Sequence, residues 1–239
     1  IQVPLVLHYL DPERYGVWIT LTMILGWFSL FDIGMGNGLR NRLAEAIAKG
    51  DLSKAKIYVS TTYAVVAIIF SSLFFVFLLI NQFLDWSVLL NTSSDLAREL
   101  QLLAVVVFFF FCGRFVVSLI ESIAKAHQDP AFANLINTTG RLVALAGIWL
   151  LVTFADSKLL FLGFVLSGLP VFVSLLLSIW AFSFRYRKIR PTISSVQFSE
   201  FGFLMNLGFK FFFLKISSII FYQTNSFIIA QLFGPEEVT

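Results

Sequence analysis

The chain has 239 residues, of which 58% are hydrophobic and 13% are charged, with 17 basic and 14 acidic side chains. Its mean hydropathy of +0.87 excludes a soluble globular domain, because one core could not hide that much apolar surface from water. The single cysteine, Cys112, excludes an internal disulfide, and neither histidine has metal-ligand spacing, so no metal and no cofactor are expected. The predicted fold class is an all-α, polytopic transmembrane helical bundle.

Membrane spans are predicted where roughly 20 mostly apolar residues follow one another, because a helix rises about 1.5 Å per residue through a hydrocarbon layer about 30 Å thick. Residues 1–10 are apolar but too short to cross, and they predict the outer end of a helix that begins upstream. Six spans follow in chain order, three of them uncharged and three with one ionisable residue each: 15–36, 57–84, 102–120, 131–155, 159–184 and 216–235.

The connection after the first of these spans carries its own helix pattern. Leu39, Leu43 and Ile47 recur at every fourth position, which predicts a short amphipathic helix lying on the inner membrane surface. Gly50 is predicted to end that helix, and Asp51 to cap the next one. The segment GMGNG at 34–38 lacks the glycine spacing of a phosphate-binding loop, and close packing or flexibility at a helix end explains it better.

Two further sequence signals, one for a helix start and one for a helix bend, lie later in the chain. Asp129 followed by Pro130 predicts the N-cap and first residue of the span at 131–155. Gly168 and Pro170 lie inside the span at 159–184, where a proline removes one backbone hydrogen bond and allows the helix to bend.

Basic residues in the connections fall mainly on one side of the predicted membrane. By the positive-inside rule the richer side is cytoplasmic. The pI near 9.1 then reflects topology and contact with anionic lipid headgroups, and no nucleic-acid partner is expected. The inner set is Arg40, Arg42, Lys49, Lys54, Lys56, Lys125, Arg185, Arg187, Lys188 and Arg190, and the outer set is Arg14, Arg98 and Lys158.

A weak internal repeat pairs LDPERYG, which begins at Leu10, with FGPEEVT, which begins at Phe233. Two halves of like orientation are typical of transporters built by duplication. The predicted organisation is an N-terminal transmembrane lobe over 1–184, a cytoplasmic inter-lobe linker over 185–206 and the first helix of a C-terminal lobe over 207–239. Both the first and the last helix are expected to be truncated.

Ionisable residues within a span cost about 2.5 to 3.5 kcal/mol each at a helix centre, so each of them needs a reason. Arg141 lies roughly 16 Å along the helix axis from Pro130, near the middle of the bilayer. Residues spaced by three and four share one helix face, and three spans show such a polar stripe. The stripes are Arg114, Ser118, Glu121 and Lys125; Asn134, Asn137, Thr138 and Arg141; and Lys215, Ser218, Tyr222, Asn225 and Ser226.

Two interpretations of these residues are open. In the structural one, Asp32 and a basic residue form a buried pair. In the functional one, basic residues line a water-filled cavity open to the inner side, where their surplus positive charge binds a phosphate or pyrophosphate group. Asp32 is then a salt-bridge partner or a titrating site for a coupling ion. The candidate substrate-binding residues are Arg114, Arg141, Lys215, Asn134, Asn137, Tyr222 and Asn225.

The run YGVWITLTMILGWFSLFDIGMGNGLRNRLAEAIAKGD at 15–51, with the preceding LDPERYG, resembles the second helix and following loop of bacterial polysaccharide-export flippases of the O-antigen type. These belong to the multidrug/oligosaccharidyl-lipid/polysaccharide (MOP) flippase superfamily, which includes lipid II flippases and multidrug and toxin extrusion transporters. The motifs that carry the resemblance lie in about the first fifty residues.

The resemblance implies two lobes around a central cavity in a multi-pass protein of the bacterial inner membrane. It implies a non-enzymatic transporter that moves an undecaprenyl-pyrophosphate-linked oligosaccharide from the inner to the outer leaflet by alternating access. The implied partners are this lipid-linked substrate, membrane lipid, and a proton or sodium ion for coupling.

Three alternatives stay open. A multidrug antiporter of the same superfamily would favour acidic cavity residues for cationic substrates. A membrane glycan polymerase or ligase would need catalytic residues in a large outer loop, whereas the longest predicted outer loop, residues 85–101, is short. A purely structural subunit predicts that the polar stripes pair with one another and enclose no cavity.

Overall fold

A computed structural model describes residues 14–20, 34–90, 96–154 and 158–206, together with the single positions 6, 9, 10, 92, 208, 210, 213, 214 and 217. These residues form helices and connections, with no strand among them. The helices with both ends described are α1 (Met35–Ala48), α2 (Leu52–Asn81), α3 (Trp86–Leu89), α4 (Ala97–Val117), α5 (Leu119–Ala126), α6 (Pro130–Phe154), α7 (Leu159–Gly163) and α8 (Leu169–Phe184).

Four helical segments in the described part of the chain are long and apolar enough to cross a membrane. They are α2, α4 continued by α5, α6, and α7 continued through a π-helical turn by α8. They confirm the spans predicted over 57–84, 102–120, 131–155 and 159–184. Large apolar side chains such as Phe75, Leu79 and Trp149 stay more than half exposed, as expected where lipid is the solvent. The chain is therefore an all-α, multi-pass membrane bundle. The spans predicted over 15–36 and 216–235 lie largely outside the described residues.

The short helix predicted around Leu39 and Leu43 is confirmed as α1, but its surroundings differ from the prediction. Both leucines are fully buried, and α1 packs against α2 and α5. The reason is that α5, which follows a one-residue turn at Ser118, also has a strongly apolar face that includes Ile120 and Ile123. The two short helices bury these faces together in one core cluster, so the apolar line of α1 faces protein and not the membrane surface.

The predicted helix punctuation is confirmed where the structure describes it. The Asp51 side chain accepts a hydrogen bond of 2.9 Å from the Lys54 amide, and Asp129 accepts one of 3.1 Å from the Phe132 amide. The bend predicted near Pro170 takes the form of a π-helical turn, Phe164–Gly168, between α7 and α8. Such turns accommodate a proline because the helix widens where the regular hydrogen bond is missing.

The GMGNG segment forms a close contact between α1 and two other helices. A side chain at Gly34 would collide with the Gly208 carbonyl, and at Gly38 its first carbon would lie 2.6 Å from the Leu204 carbonyl oxygen. On the other face, a side chain at Gly36 would lie 2.8 Å from the Ser122 hydroxyl oxygen. The glycines therefore serve packing, which confirms that interpretation.

The connection after α8 is folded against α2. The Thr192 amide donates to the Ser60 hydroxyl at 3.1 Å, and the Gln197 amide donates to the Thr61 hydroxyl at 3.0 Å. Residues 201–206 are again helical and lie beside α1, where the Arg42 guanidinium stacks 3.5 Å from the centre of the Phe203 ring. The linker predicted over 185–206 thus includes the start of the next helix.

We expect Gly38→Ala to destabilise the protein by about 1 to 3 kcal/mol, because a backbone carbonyl cannot move aside as a flexible side chain would. Gly202→Ala, on the facing helix, is the matched control, because a side chain there would meet nothing within 4 Å. The folded yield and the Tm in detergent are measured for both variants. Equal behaviour of the two variants would show that the contact between Gly38 and Leu204 does not hold these helices together.

Candidate functional site

Two of the predicted basic residues, Arg114 and Arg141, line one cavity. It has a volume of about 230 Å³ and lies between α4, α6, α8 and the π-helical turn. Asn137 of α6 also lines it, one turn before Arg141 on the same helix face. The remaining wall is formed mainly by small or apolar residues: Ile136, Gly140, Ala144, Leu166, Pro170 and Ser174.

Close packing of α6 on α8 forms the wall beside the arginines. A side-chain carbon at Gly140 would lie 3.3 Å from the Pro170 Cα, so the two helices touch at this point. Gly140 directly precedes Arg141, and Pro170 follows the π-helical turn by two residues. The contact therefore joins the arginine of α6 to the bend of α8.

The two guanidinium groups supply most of the unused hydrogen-bond donors of this cavity. The Ser174 hydroxyl donates to the Pro170 carbonyl at 2.8 Å, and the Asn137 amide donates to the Ala133 carbonyl at 3.2 Å. Within the described ranges, neither Arg114 nor Arg141 forms an ion pair or a side-chain hydrogen bond, and no acidic residue lines the cavity.

This arrangement suits an anion. Two like charges around one cavity repel each other, and an anion between them would replace that repulsion with attraction. A guanidinium presents a planar fork of donors that matches the oxygens of a phosphate or carboxylate. The cavity can therefore bind and orient an anionic group.

The structure brings together only part of the predicted site. Arg114, Arg141 and Asn137 share the cavity, whereas Asn134 is exposed on α6 and does not line it. Glu121 and Lys125, from the predicted stripe around Arg114, pair with each other at 4.0 Å on α5. The other predicted residues, Asp32, Lys215, Tyr222 and Asn225, lie outside the described residues.

Sequence reasoning missed the contribution of α8. Ser174 and Pro170 line the cavity one turn apart, although the sequence analysis considered Pro170 only as a cause of bending. Small residues at Gly140 and Ala144, spaced by four on α6, are the signal that could have indicated where a second helix approaches.

Two carboxylates of the predicted outer loop, which a glycan polymerase or ligase could use, have structural roles here. The Asp85 carboxylate accepts hydrogen bonds from the Ser87 hydroxyl at 2.6 Å and the Ser87 amide at 3.0 Å, at the start of α3. The Ser87 hydroxyl is the main reason that the pKa of Asp85 lies below its ordinary value. The Glu99 carboxylate accepts a bond of 3.3 Å from the Leu160 amide, at the start of α7.

Comparison with known proteins gives two relatives, each named "Putative O-antigen transporter". The one from Salmonella typhi is 27% identical over 245 aligned residues and matches 100% of this chain and 54% of its own length. The one from Salmonella typhimurium is 24% identical and matches 99% of this chain and 54% of its own length. The chain is similar to O-antigen transporters throughout.

This similarity extends the sequence resemblance from about the first fifty residues to the whole chain. The chain spans about half the length of the curated relatives it matches. No protein-family model matches it, and no solved structure matches it significantly.

We expect Arg114→Gln and Arg141→Gln to leave Tm unchanged or raised, because neither substitution strands a described partner and each removes a like-charge repulsion. Asp129→Ala is the control, since Asp129 caps α6 and forms an ion pair with Arg185. Loss of that cap alone lowers the free energy of unfolding by about 1 kcal/mol. A fall in Tm as large for Arg141→Gln as for Asp129→Ala would instead support the buried structural pair considered for Asp32.

Proposed function

We propose that this chain is part of a flippase that moves a polyprenyl-pyrophosphate-linked oligosaccharide from the inner to the outer leaflet of the bacterial inner membrane, for O-antigen biosynthesis. The observation that carries the proposal is the cavity in which Arg114 and Arg141 face an anion-sized space without a described counter-charge. The similarity to two proteins named as putative O-antigen transporters supports this class of substrate.

The positive charge of the cavity favours a lipid-linked anionic substrate over a cationic drug. A pyrophosphate presents several oxygens that two guanidinium forks can contact at once, which a single lysine could not do as well. A cationic drug would instead be repelled by Arg114 and Arg141, and it would require an acidic residue that is not among the residues lining this cavity.

The size of the cavity limits which part of the substrate it takes. Pockets for drug-sized ligands have volumes of roughly 300–1,000 Å³. The cavity here, at about 230 Å³, suits the pyrophosphate and not the attached sugars. In the proposed complex the sugars lie against further walls, including those of the second lobe, while the polyprenyl tail stays in lipid. Lys215, Tyr222, Asn225 and Asn134 are proposed to contribute to those walls.

The proposed cycle breaks no covalent bond. Alternating access needs an element with two arrangements, and the bend at Pro170 next to the cavity is our candidate. Asp32 is proposed to link this change to a proton or sodium gradient, or to act as the counter-charge of an arginine when the substrate is absent.

We expect Arg141→Lys to retain part of the export activity, because lysine keeps the charge but loses the planar fork. Arg141→Gln should abolish export and cause lipid-linked intermediates to accumulate at the inner leaflet, with normal folded yield. Arg187→Gln is the charge-matched control, because Arg187 does not line the cavity. Surface O-antigen and folded protein are measured together in cells that express the full-length protein. Normal export by well-folded Arg141→Gln protein would exclude the anion site at this residue.

A further inference from the structure

A second cavity, of about 220 Å³, lies where α2, α4 and α8 meet the connection that follows α8. It shares no lining residue with the cavity of Arg114 and Arg141. Most of its wall is apolar, formed by residues such as Val116, Leu175, Ile179 and Phe182, and its polar lining includes Tyr63 and Arg190. The Tyr63 ring packs edge-on against Phe182, with ring centres 5.8 Å apart.

Tyr63 and Arg190 supply the free donors of this cavity. Its two serines, Ser178 and Ser183, donate their hydroxyls to carbonyls of their own helix at 2.6 and 2.7 Å. The Tyr63 hydroxyl is buried and has no hydrogen-bond partner among the residues described. The Arg190 guanidinium likewise forms no ion pair with any residue that the structure describes. A buried donor without a partner costs free energy, which a bound acceptor would recover.

Arg190 is held in place by the chain on both sides. Its amide donates to the Arg187 carbonyl at 3.4 Å, and the amide of Thr192, two residues later, donates to the Ser60 hydroxyl of α2 at 3.1 Å. Ile189 beside it is buried. Arg190, which lines this cavity, therefore belongs to an anchored backbone segment.

The predicted topology places this cavity near the inner boundary of the membrane. α8 ends at Phe184, and the predicted topology places the basic residues that follow it in the cytoplasm. Leu175 and Ile179 of the same helix are 41% and 56% exposed, on the side where a lipid chain would lie. A basic side chain such as Arg190 at the level of the lipid headgroups, beside a mostly apolar cavity, suits an anionic lipid.

We propose that this cavity binds an acidic phospholipid of the inner leaflet. Its phosphate contacts the Arg190 guanidinium and the Tyr63 hydroxyl, and one acyl chain lies along Leu175 and Ile179. The bound lipid joins α2, α4 and α8 to the connection between the lobes. This site is distinct from the proposed substrate cavity and does not depend on the flippase proposal.

The test uses the full-length protein purified in detergent, titrated with phosphatidylglycerol or phosphatidylcholine, with bound lipid counted by native mass spectrometry and Tm recorded in parallel. We expect phosphatidylglycerol to be retained and to raise Tm, and phosphatidylcholine to do neither. Arg190→Gln should weaken retention about tenfold, as expected for loss of a charged hydrogen bond, and Tyr63→Phe should weaken it less. Arg187→Gln, which keeps the same net charge as Arg190→Gln but does not line the cavity, should resemble the wild type.

Equal retention by Arg190→Gln and Arg187→Gln would overturn the proposal, as would equal binding of the two phospholipids. Ile179→Trp, which fills the cavity without changing the charge, provides a second test. Undiminished retention by this folded variant would also contradict the site.

Displacement of phosphatidylglycerol by equimolar farnesyl pyrophosphate would assign the cavity to the transported substrate instead. Arg141→Gln should leave phosphatidylglycerol retention unchanged, which separates this test from that of the flippase proposal.

Discussion

An arginine inside a membrane must find a counter-charge, reach water or bind an anion, because a bilayer solvates its charge poorly. The paired charges described in this chain lie at the ends of spans or in the short helices, such as Arg42 with Glu45 and Arg185 with Asp129. Arg114 and Arg141 differ, since both lie within spans and line one cavity without a described partner. The functional proposal depends on this unpaired charge.

Glycines, and a proline preceded by a π-helical turn, allow the close helix packing in this bundle. Gly140 lets α6 approach Pro170, and the π-helical turn before Pro170 sets the course of α8. Gly34 and Gly38 let α1 approach the backbone of Gly208 and Leu204 closely. One of these tight contacts lies beside the bend at Pro170 that is proposed to move in the transport cycle.

Hydropathy and capping predicted the spans and helix ends well, because lipid exposure and local hydrogen bonds are encoded within each segment. The surroundings of α1 could not be predicted in the same way, because Leu39 and Leu43 are buried by the partner helix α5 and the sequence does not show that partner. The two asparagines of α6 show the same limit. Both lie on the polar stripe, yet only Asn137 lines the cavity, and the rotation of α6 against α8 decides which one does.

The central claim is that Arg114 and Arg141 form an anion site, and binding of a soluble pyrophosphate lipid tests it most directly. Calorimetric titration of the full-length protein with farnesyl pyrophosphate should give a saturable signal that weakens as salt rises, since screening weakens charge attraction. The double variant Arg114→Gln/Arg141→Gln should lose this binding by at least about tenfold, while Arg187→Gln keeps it. Equal affinity of the double variant and the wild type would contradict the account.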